Sequence, residues 1–342
     1  MSETPPLRRF GSRIHKIVRE VGVPYESVLK DHALSYLLAG IASVPDLRTH
    51  LVFKGGTALR KCFFPTHRYS IDLDFSTRDL HRWSPAAFLT LLVDACLRAE
   101  DLTAVFGSYS FAPRVVRHRA DHPHDQLDLR VDVVFPNDAK ASLKVEVIQD
   151  EPIVRPIADR GILHAFDGEG FDARIATYSL DEIVLEKLRA FLQVRAALRS
   201  RAWTNRARDL FDLYAIHHDH EELVEWAELL ESLHIKANAR GVAFSGPEDF
   251  CTPEVMAAYR DQWTGSLENL VGGTLPDFDT AEDELQRVLV AVFGTNVDAA
   301  PAKRATARGR ANTTMQVDAD RRAMEPAGAR PVSSVSRSRV NH

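Results

Sequence analysis

Asp72 and Asp74 stand two residues apart in RYSIDLDFS, where residues 69–75 alternate polar with apolar. A period of two is the pattern of a strand. It sends Ile71, Leu73 and Phe75 to one face and Ser70, Asp72 and Asp74 to the other. Two carboxylates on one strand face repel each other and cost stability unless positive charge lies between them. A divalent metal is the usual source of that charge, and hard cations such as Mg²⁺ bind through one or two carboxylates together with substrate phosphates. Upstream, residues 51–53 read as a strand, Lys54 follows, and Gly55-Gly56 suits a sharp turn or a close backbone approach to a ligand. Residues 57–63 then read as a short helix. Ser70 shares the face of Asp72, so a phosphate there, or Ser70→Asp, would crowd negative charge onto the acidic pair and is expected to inactivate the site.

Other residues invite a chemical reading. Asp132 and Glu146 are the acidic residues among apolar neighbours in LRVDVVF and LKVEVI. On a helix expected over 178–199, Ile183, Lys187, Phe191 and Arg195 share one stripe. A lysine there either snorkels to solvent or reaches a phosphate as a point charge, and composition favours the first. In ARDLFDLYAIH, 207–217, Arg208 and Asp212 lie four apart and can pair across a helical turn, while Asp209 faces elsewhere. RHRADHPHDQLD sets His118, His122 and His124 beside Asp121 and Asp125. Imidazole and carboxylate are metal ligands, yet the spacing matches no helix-borne motif and the composition is that of a polar hairpin loop.

The elements that must position these residues are legible from periodicity. Residues 8–45 read as helices broken at Pro24, a supporting layer. Ser84 or Thr77 is placed to cap a helix over 85–100. Three strand-like runs follow at 109–116, 127–135 and 141–148, the last two joined at Pro136-Asn137-Asp138 as a hairpin. Ser179 and Glu182 form a capping box at the head of the 178–199 helix. Residues 219–293 are helical with turns, and Lys236 and Arg240, between helices, read as surface charge. Beyond 296 apolar periodicity vanishes, and 297–342 is expected to be disordered. Residues 299–342 carry nine Lys and Arg against three Asp and Glu, a net of +6 that leaves −11 on the rest of the chain. An acidic body of this kind excludes a general nucleic-acid binder, so local basic patches would have to do such work. With 45% hydrophobic and 27% charged residues in 342, the chain is an ordinary globular protein. It has no membrane-length apolar run and no apolar leader, and its three scattered cysteines fit a reducing cytoplasm. No GxxxxGK[ST] is present, which argues against a Walker-type kinase or NTPase.

KGGTAL followed by RYSIDLDFS resembles the nucleotidyltransferases of the AbiEii/MenT toxin group, within the DNA polymerase β-like superfamily. The likeness spans residues 51–217 in good motif order and the helical remainder loosely. The fifteen residues between Gly56 and Asp72 exceed the general superfamily spacing but suit this toxin branch. The resemblance implies an α/β (α+β) fold: a polymerase β-like core with a mixed sheet, N-terminal helices and a C-terminal helical region. Its expected divisions are 1–176, 177–296 and the basic tail 297–342. It implies Mg²⁺ (or Mn²⁺) held by Asp72, Asp74 and a third carboxylate. Glu146 is the better match for the third, with Asp132 as rival. It reverses the composition-based reading of Lys187, which falls in register with the family's KLxAxxxR and would face the phosphates, with Asp209 of the RDxxDL motif orienting it. Lys54, Gly55, Gly56, Thr57, Ser70 and Lys187 would line the nucleotide. The implied reaction transfers nucleotides from an NTP to RNA, at the 3′ end of tRNA, blocking translation in the cytoplasm until a cognate antitoxin intervenes. The alternatives are a nucleotidyltransferase acting on a protein or small-molecule hydroxyl, and a catalytically silent interaction protein.

Overall fold

Strands of alternating or continuous apolar residues pair here into one seven-stranded mixed sheet, which carries the acidic motif at its centre. The structure, a computed structural model, describes residues 6–107, 109–119, 125–164, 166, 172–200 and 206–294; the basic tail read at 297–342 lies outside them. All the described residues belong to one unit, Met1–Val297. The chain opens with α1 (Pro6–Val21), α2 (Tyr25–Ser43) and α3 (Pro45–His50), then enters β1 (Leu51–Lys54) and α4 (Gly55–Ala58), which runs on as a π-helical turn, Leu59–Phe63. β2 (Asp72–Thr77), α5 (Pro85–Thr103), β3 (Ser110–Arg119), β4 (Gln126–Val134) and β5 (Lys140–Ile148) follow, then β6 (Ile157–Gly161) and β7 (Arg174–Tyr178). Five α-helices complete the described residues: α6 (Leu180–Ser200), α7 (Ala207–His220), α8 (Leu229–Ala239), α9 (Pro253–Leu267) and α10 (Phe278–Phe293).

The strand order is β3-β4-β5-β2-β1-β7-β6. The β2–β5 and β1–β7 pairs are parallel and the others antiparallel. Leu73 and Phe75 of β2, Val145 and Val147 of β5 and Leu129 and Val131 of β4 are buried in one core with α2 and α5. Ser84, not Thr77, caps α5, its Oγ accepting from the Ala87 N–H. The expected β4–β5 hairpin forms. One expectation needs correction, and one pair of strands carries no signal in the sequence. β2 begins at Asp72 rather than at residue 69. β6 and β7 each run for five residues with no clear period, and only pairing with β1 and with each other makes them strands.

The long connection from Gly56 to Asp72 is held by a buried charge cluster. Because the helix widens to a π-turn, the consecutive residues Arg60 and Lys61 both reach Asp31 of α2. Arg60 Nε lies 3.0 Å from Oδ1 and Lys61 Nζ 2.7 Å from Oδ2. Arg60 also donates to the His67 carbonyl and stacks on the Tyr69 ring, 3.7 Å from its centroid. Tyr69 N donates to Leu270 O at 2.7 Å, so residues 67–69 are fixed from two sides.

The helical region is tied to the sheet in the same manner. Lys236 of α8 is fully buried rather than a surface charge, and its Nζ stands 2.6 Å from Glu182 Oε1 and 3.1 Å from the Pro152 carbonyl. Arg240, just past α8, is likewise withdrawn onto Glu151. The Glu182 N–H donates to the capping Ser179 Oγ at 3.2 Å, but the Glu182 carboxylate takes the Val154 and Arg155 N–H groups instead of closing the capping box.

Burial opposes ionisation of Asp31, and the charges of Lys61 and Arg60 outweigh it, holding the carboxyl below its ordinary range. A depressed folded-state value means that this stabilisation is complete above the unfolded carboxyl value of about 3.9 and is lost as pH falls through the folded one. Asp31→Ala strands two buried cations. Urea denaturation at pH 7 is expected to show a loss of about 3–5 kcal/mol, with the difference from wild type narrowing only in strong acid.

Candidate active site

β1 ends at Lys54 and the chain turns at Gly55, whose φ of +78° lies in the left-handed region. A Cβ at Gly55 would stand 2.6 Å from Asp74 Oδ2, so both the turn and the neighbouring carboxylate require glycine. At Gly56 a Cβ would collide with the Arg68 guanidinium, which cannot yield because Asp212 clamps it bidentately at 2.6 and 2.8 Å.

Strand register then arranges the charges. Lys54 stands opposite Asp74, Asp74 opposite Glu146, Glu146 opposite Asp128, and Asp128 opposite Arg117. Three carboxylates thus occupy one row across β2, β5 and β4, with a cation at either end. In the next row Asp72 faces Lys144. Directly opposed like charges destabilise a sheet, and most of this row is compensated. Gln126 Nε2 donates to Asp128 Oδ1 and Glu146 Oε1, each at 2.6 Å. Lys144 Nζ lies 2.6 Å from Glu146 Oε2, and Arg119 Nη2 lies 3.1 Å from Asp128 Oδ2. The carboxylates of Asp72 and Asp74 have no hydrogen bond or ion pair among the described residues. Burial and the charges of Glu146 and Asp72 push Asp74 up to about 7.

The acidic row forms one wall of a cavity of about 480 Å³, and α6 and α7 form the other. Lys187 on α6 lies 2.7 Å from both Asp209 Oδ1 and Asp212 Oδ2 of α7. Burial would lower the Lys187 ammonium, but the two aspartates outweigh it and hold it above its ordinary range. Asp209 is driven the opposite way: burial opposes its ionisation, and Lys187 and Arg206 overcome that. Asp212, fully buried among Arg68, Lys187 and His67, sits well below the carboxylate range for the same reason.

Lys54, Gly55, Gly56, Ser70, Asp72, Asp74, Glu146, Lys187 and Asp209 all line this cavity. Thr57 does not. It is fully buried, and its hydroxyl donates to the Asp72 carbonyl at 2.5 Å, anchoring the start of β2. Asp132, the rival to Glu146, lies four residues along β4 from Asp128 and outside the cavity, bonded to Arg114 and Ser142. Ser70 lines the cavity from the segment before β2 rather than from the strand. Asp212 does not pair with Arg208, because Arg68, His67 and Lys187 saturate it. Arg208 instead lines the cavity. In the histidine-rich stretch His118 and His81 both bond to Asp125, and His122, His124 and Asp121 lie outside the described residues.

Periodicity did not reveal Asp128, Gln126, Lys144, Arg68, Arg189 and Arg206. Asp128 had a usable signal. A hairpin turn at 136–138 that sets Asp132 opposite Ser142 necessarily sets Asp128 opposite Glu146.

Among the described residues no three His, Cys, Asp or Glu side chains are grouped to hold a metal ion. Glu146 is engaged by Lys144 and Gln126. The unpartnered Asp72–Asp74 pair nevertheless fits a hard divalent cation in charge and donor type, because neutralising Asp74 is what its surroundings favour. A family model described as "Nucleotidyl transferase AbiEii toxin, Type IV TA system" matches residues 36–284, which hold the acidic row, the glycine turn and both cavity helices. The chain belongs to the AbiEii nucleotidyltransferase toxin family. Membership establishes a nucleotidyltransferase of the toxin–antitoxin class, with an NTP as substrate. The seven-stranded mixed sheet flanked by helices is the expected fold class. Among solved structures, MenT4, a nucleotidyltransferase toxin from Mycobacterium tuberculosis H37Rv, is similar at 22% identity and a TM-score of 0.47, over 82% of this chain and 99% of that one. No curated protein matches the chain. No helix among the described residues is long and apolar enough to cross a membrane.

Three substitutions separate geometry from charge in this AbiEii site. Gly55→Ala forces a left-handed alanine against Asp74 and is expected to cost about 1–3 kcal/mol in thermal denaturation. Asp212→Ala leaves Arg68 and Lys187 without their shared partner and is expected to cost about 3–5 kcal/mol. Asp209→Ala should cost less, since Lys187 keeps Asp212.

Proposed function

We propose that this AbiEii protein transfers the nucleotidyl group of an NTP to an RNA hydroxyl at the 3′ end of tRNA. The block on translation that follows would be relieved by a cognate antitoxin in the cytoplasm. One observation carries the reading: two unpartnered aspartates share a cavity with four cations, Arg68 of the segment before β2, Lys187 of α6, and Arg206 and Arg208 at the head of α7. Nucleotidyl transfer needs negative charge to hold a cation and positive charge to hold phosphate, and its catalysis is mostly positioning and charge stabilisation.

In this reading Asp72 and Asp74 would hold the divalent ion, Mg²⁺ or Mn²⁺, with Glu146 as the third carboxylate. The ion supplies charge neutralisation at the reacting phosphate. The RNA hydroxyl oxygen bonds to the α-phosphorus, the bond from that phosphorus to the pyrophosphate oxygen breaks, and Glu146 takes the hydroxyl proton. Lys187, kept charged and oriented by Asp209, balances the pyrophosphate as it leaves. Lys54 and the Gly55-Gly56 turn border the same cavity, where the triphosphate would lie.

The test is a transfer assay with each α-³²P-labelled NTP, divalent cation and total tRNA. Wild type is expected to label tRNA, and Asp72→Ala to lower the rate about 10³-fold. Label found on protein or on a small hydroxyl compound, with none on RNA, would replace RNA as the acceptor.

A further inference from the structure

The carboxylates behind the cavity are matched to cations almost one for one, and one cation is left over. Glu186 takes Lys54 at 3.0 Å, Glu182 takes Lys236 at 2.6 Å, and Glu151 takes Arg240. Arg189 on α6 lines the cavity and is only 8% exposed, yet its nearest carboxylate oxygens, on Glu151 and Glu186, are both 3.8 Å from Nη2. Its buried Nε has no hydrogen-bond partner. Among the other cavity cations Lys187 is committed to two aspartates, Arg68 to Asp212 and Lys144 to Glu146; Arg208 is half-buried and can be solvated, whereas Arg189 is buried.

A buried guanidinium without hydrogen bonds is costly to keep, and its planar fork matches two oxygens of one phosphate. We propose that Arg189 is a phosphate-binding residue of this site, its guanidinium taking two oxygens of a substrate phosphate. The assignment rests on the nucleotidyltransfer reading for the identity of the substrate. The phosphate comes either from the NTP triphosphate or from the acceptor strand. In both cases Lys187 balances charge while Arg189 makes the directional contact.

Binding is measured first, since it needs no turnover. The full chain, wild type, Arg189→Gln and Arg189→Lys, is titrated calorimetrically with inorganic pyrophosphate and with a short oligoribonucleotide. Arg189→Gln is expected to weaken one of the two probes about 10–100-fold, and Arg189→Lys, which keeps the charge and loses the fork, to recover only part. Loss for pyrophosphate assigns the triphosphate, and loss for the oligoribonucleotide assigns the acceptor. The thermal midpoint of Arg189→Gln should stay close to that of wild type, because the guanidinium makes no hydrogen bond and Glu151 and Glu186 keep their nearer partners Arg240 and Lys54. Unchanged binding of both probes by Arg189→Gln overturns the proposal. So does a lowered midpoint with both probes weakened alike, which would mark Arg189 as a structural cation. If wild type binds a probe through Arg189 yet transfers no label in the assay above, the reaction assignment fails and the phosphate contact stands.

Discussion

Repulsion among three carboxylates set side by side in a sheet is the constraint to which the rest of this structure answers. Asp74, Glu146 and Asp128 are brought into one row by strand register, which no side-chain choice can undo. Lys54 and Arg117 close the row at its ends, Gln126 bridges two members, and Lys144 and Arg119 draw charge from its flanks. Asp72 and Asp74 are left uncompensated. The glycine turn follows from the same crowding, because the space a side chain would need at Gly55 is taken by the Asp74 carboxylate.

The opposite wall is held by ion pairs of another kind. Asp212 gathers His67, Arg68 and Lys187 without exposure to water, and Lys236 gathers Glu182 and the Pro152 carbonyl. Such clusters add little net stability over an apolar core, since desolvation consumes much of the attraction. They do fix geometry. Through Arg68 the 67–69 segment is tied to α7, and through Asp31 and Arg60 the same segment is tied to α2. Helix and strand walls therefore meet at a set spacing, with Lys187 facing the aspartate pair across the cavity.

Local signals were readable where local physics decides. The alternation in IDLDF, the glycine pair, the Ser84 and Ser179 caps and the β4–β5 hairpin all correspond to features of the fold. What depends on distant partners was not readable. β6 and β7 are strands because β1 offers them an edge, and Lys236 is buried because Glu182 waits for it. Spacing suggested Arg208 as partner of Asp212, but Arg68, 144 residues away in the chain, takes that place with better geometry. Glu146 and Asp132 look alike along the chain. Only register against β2 sets the first beside Asp74, while the second ends beyond the cavity on Arg114.

The central claim is that the acidic row is strained in the absence of a cation and relieved by one. Mn²⁺ binding by calorimetry, paired with thermal denaturation in chelator at pH 8, tests it on wild type and Asp74→Asn. The account predicts that Asp74→Asn is the more stable protein without metal and binds Mn²⁺ at least about tenfold more weakly, since a buried repulsive charge and a ligand are removed together. An Asp74→Asn protein that is less stable in chelator and binds Mn²⁺ as wild type does would contradict it.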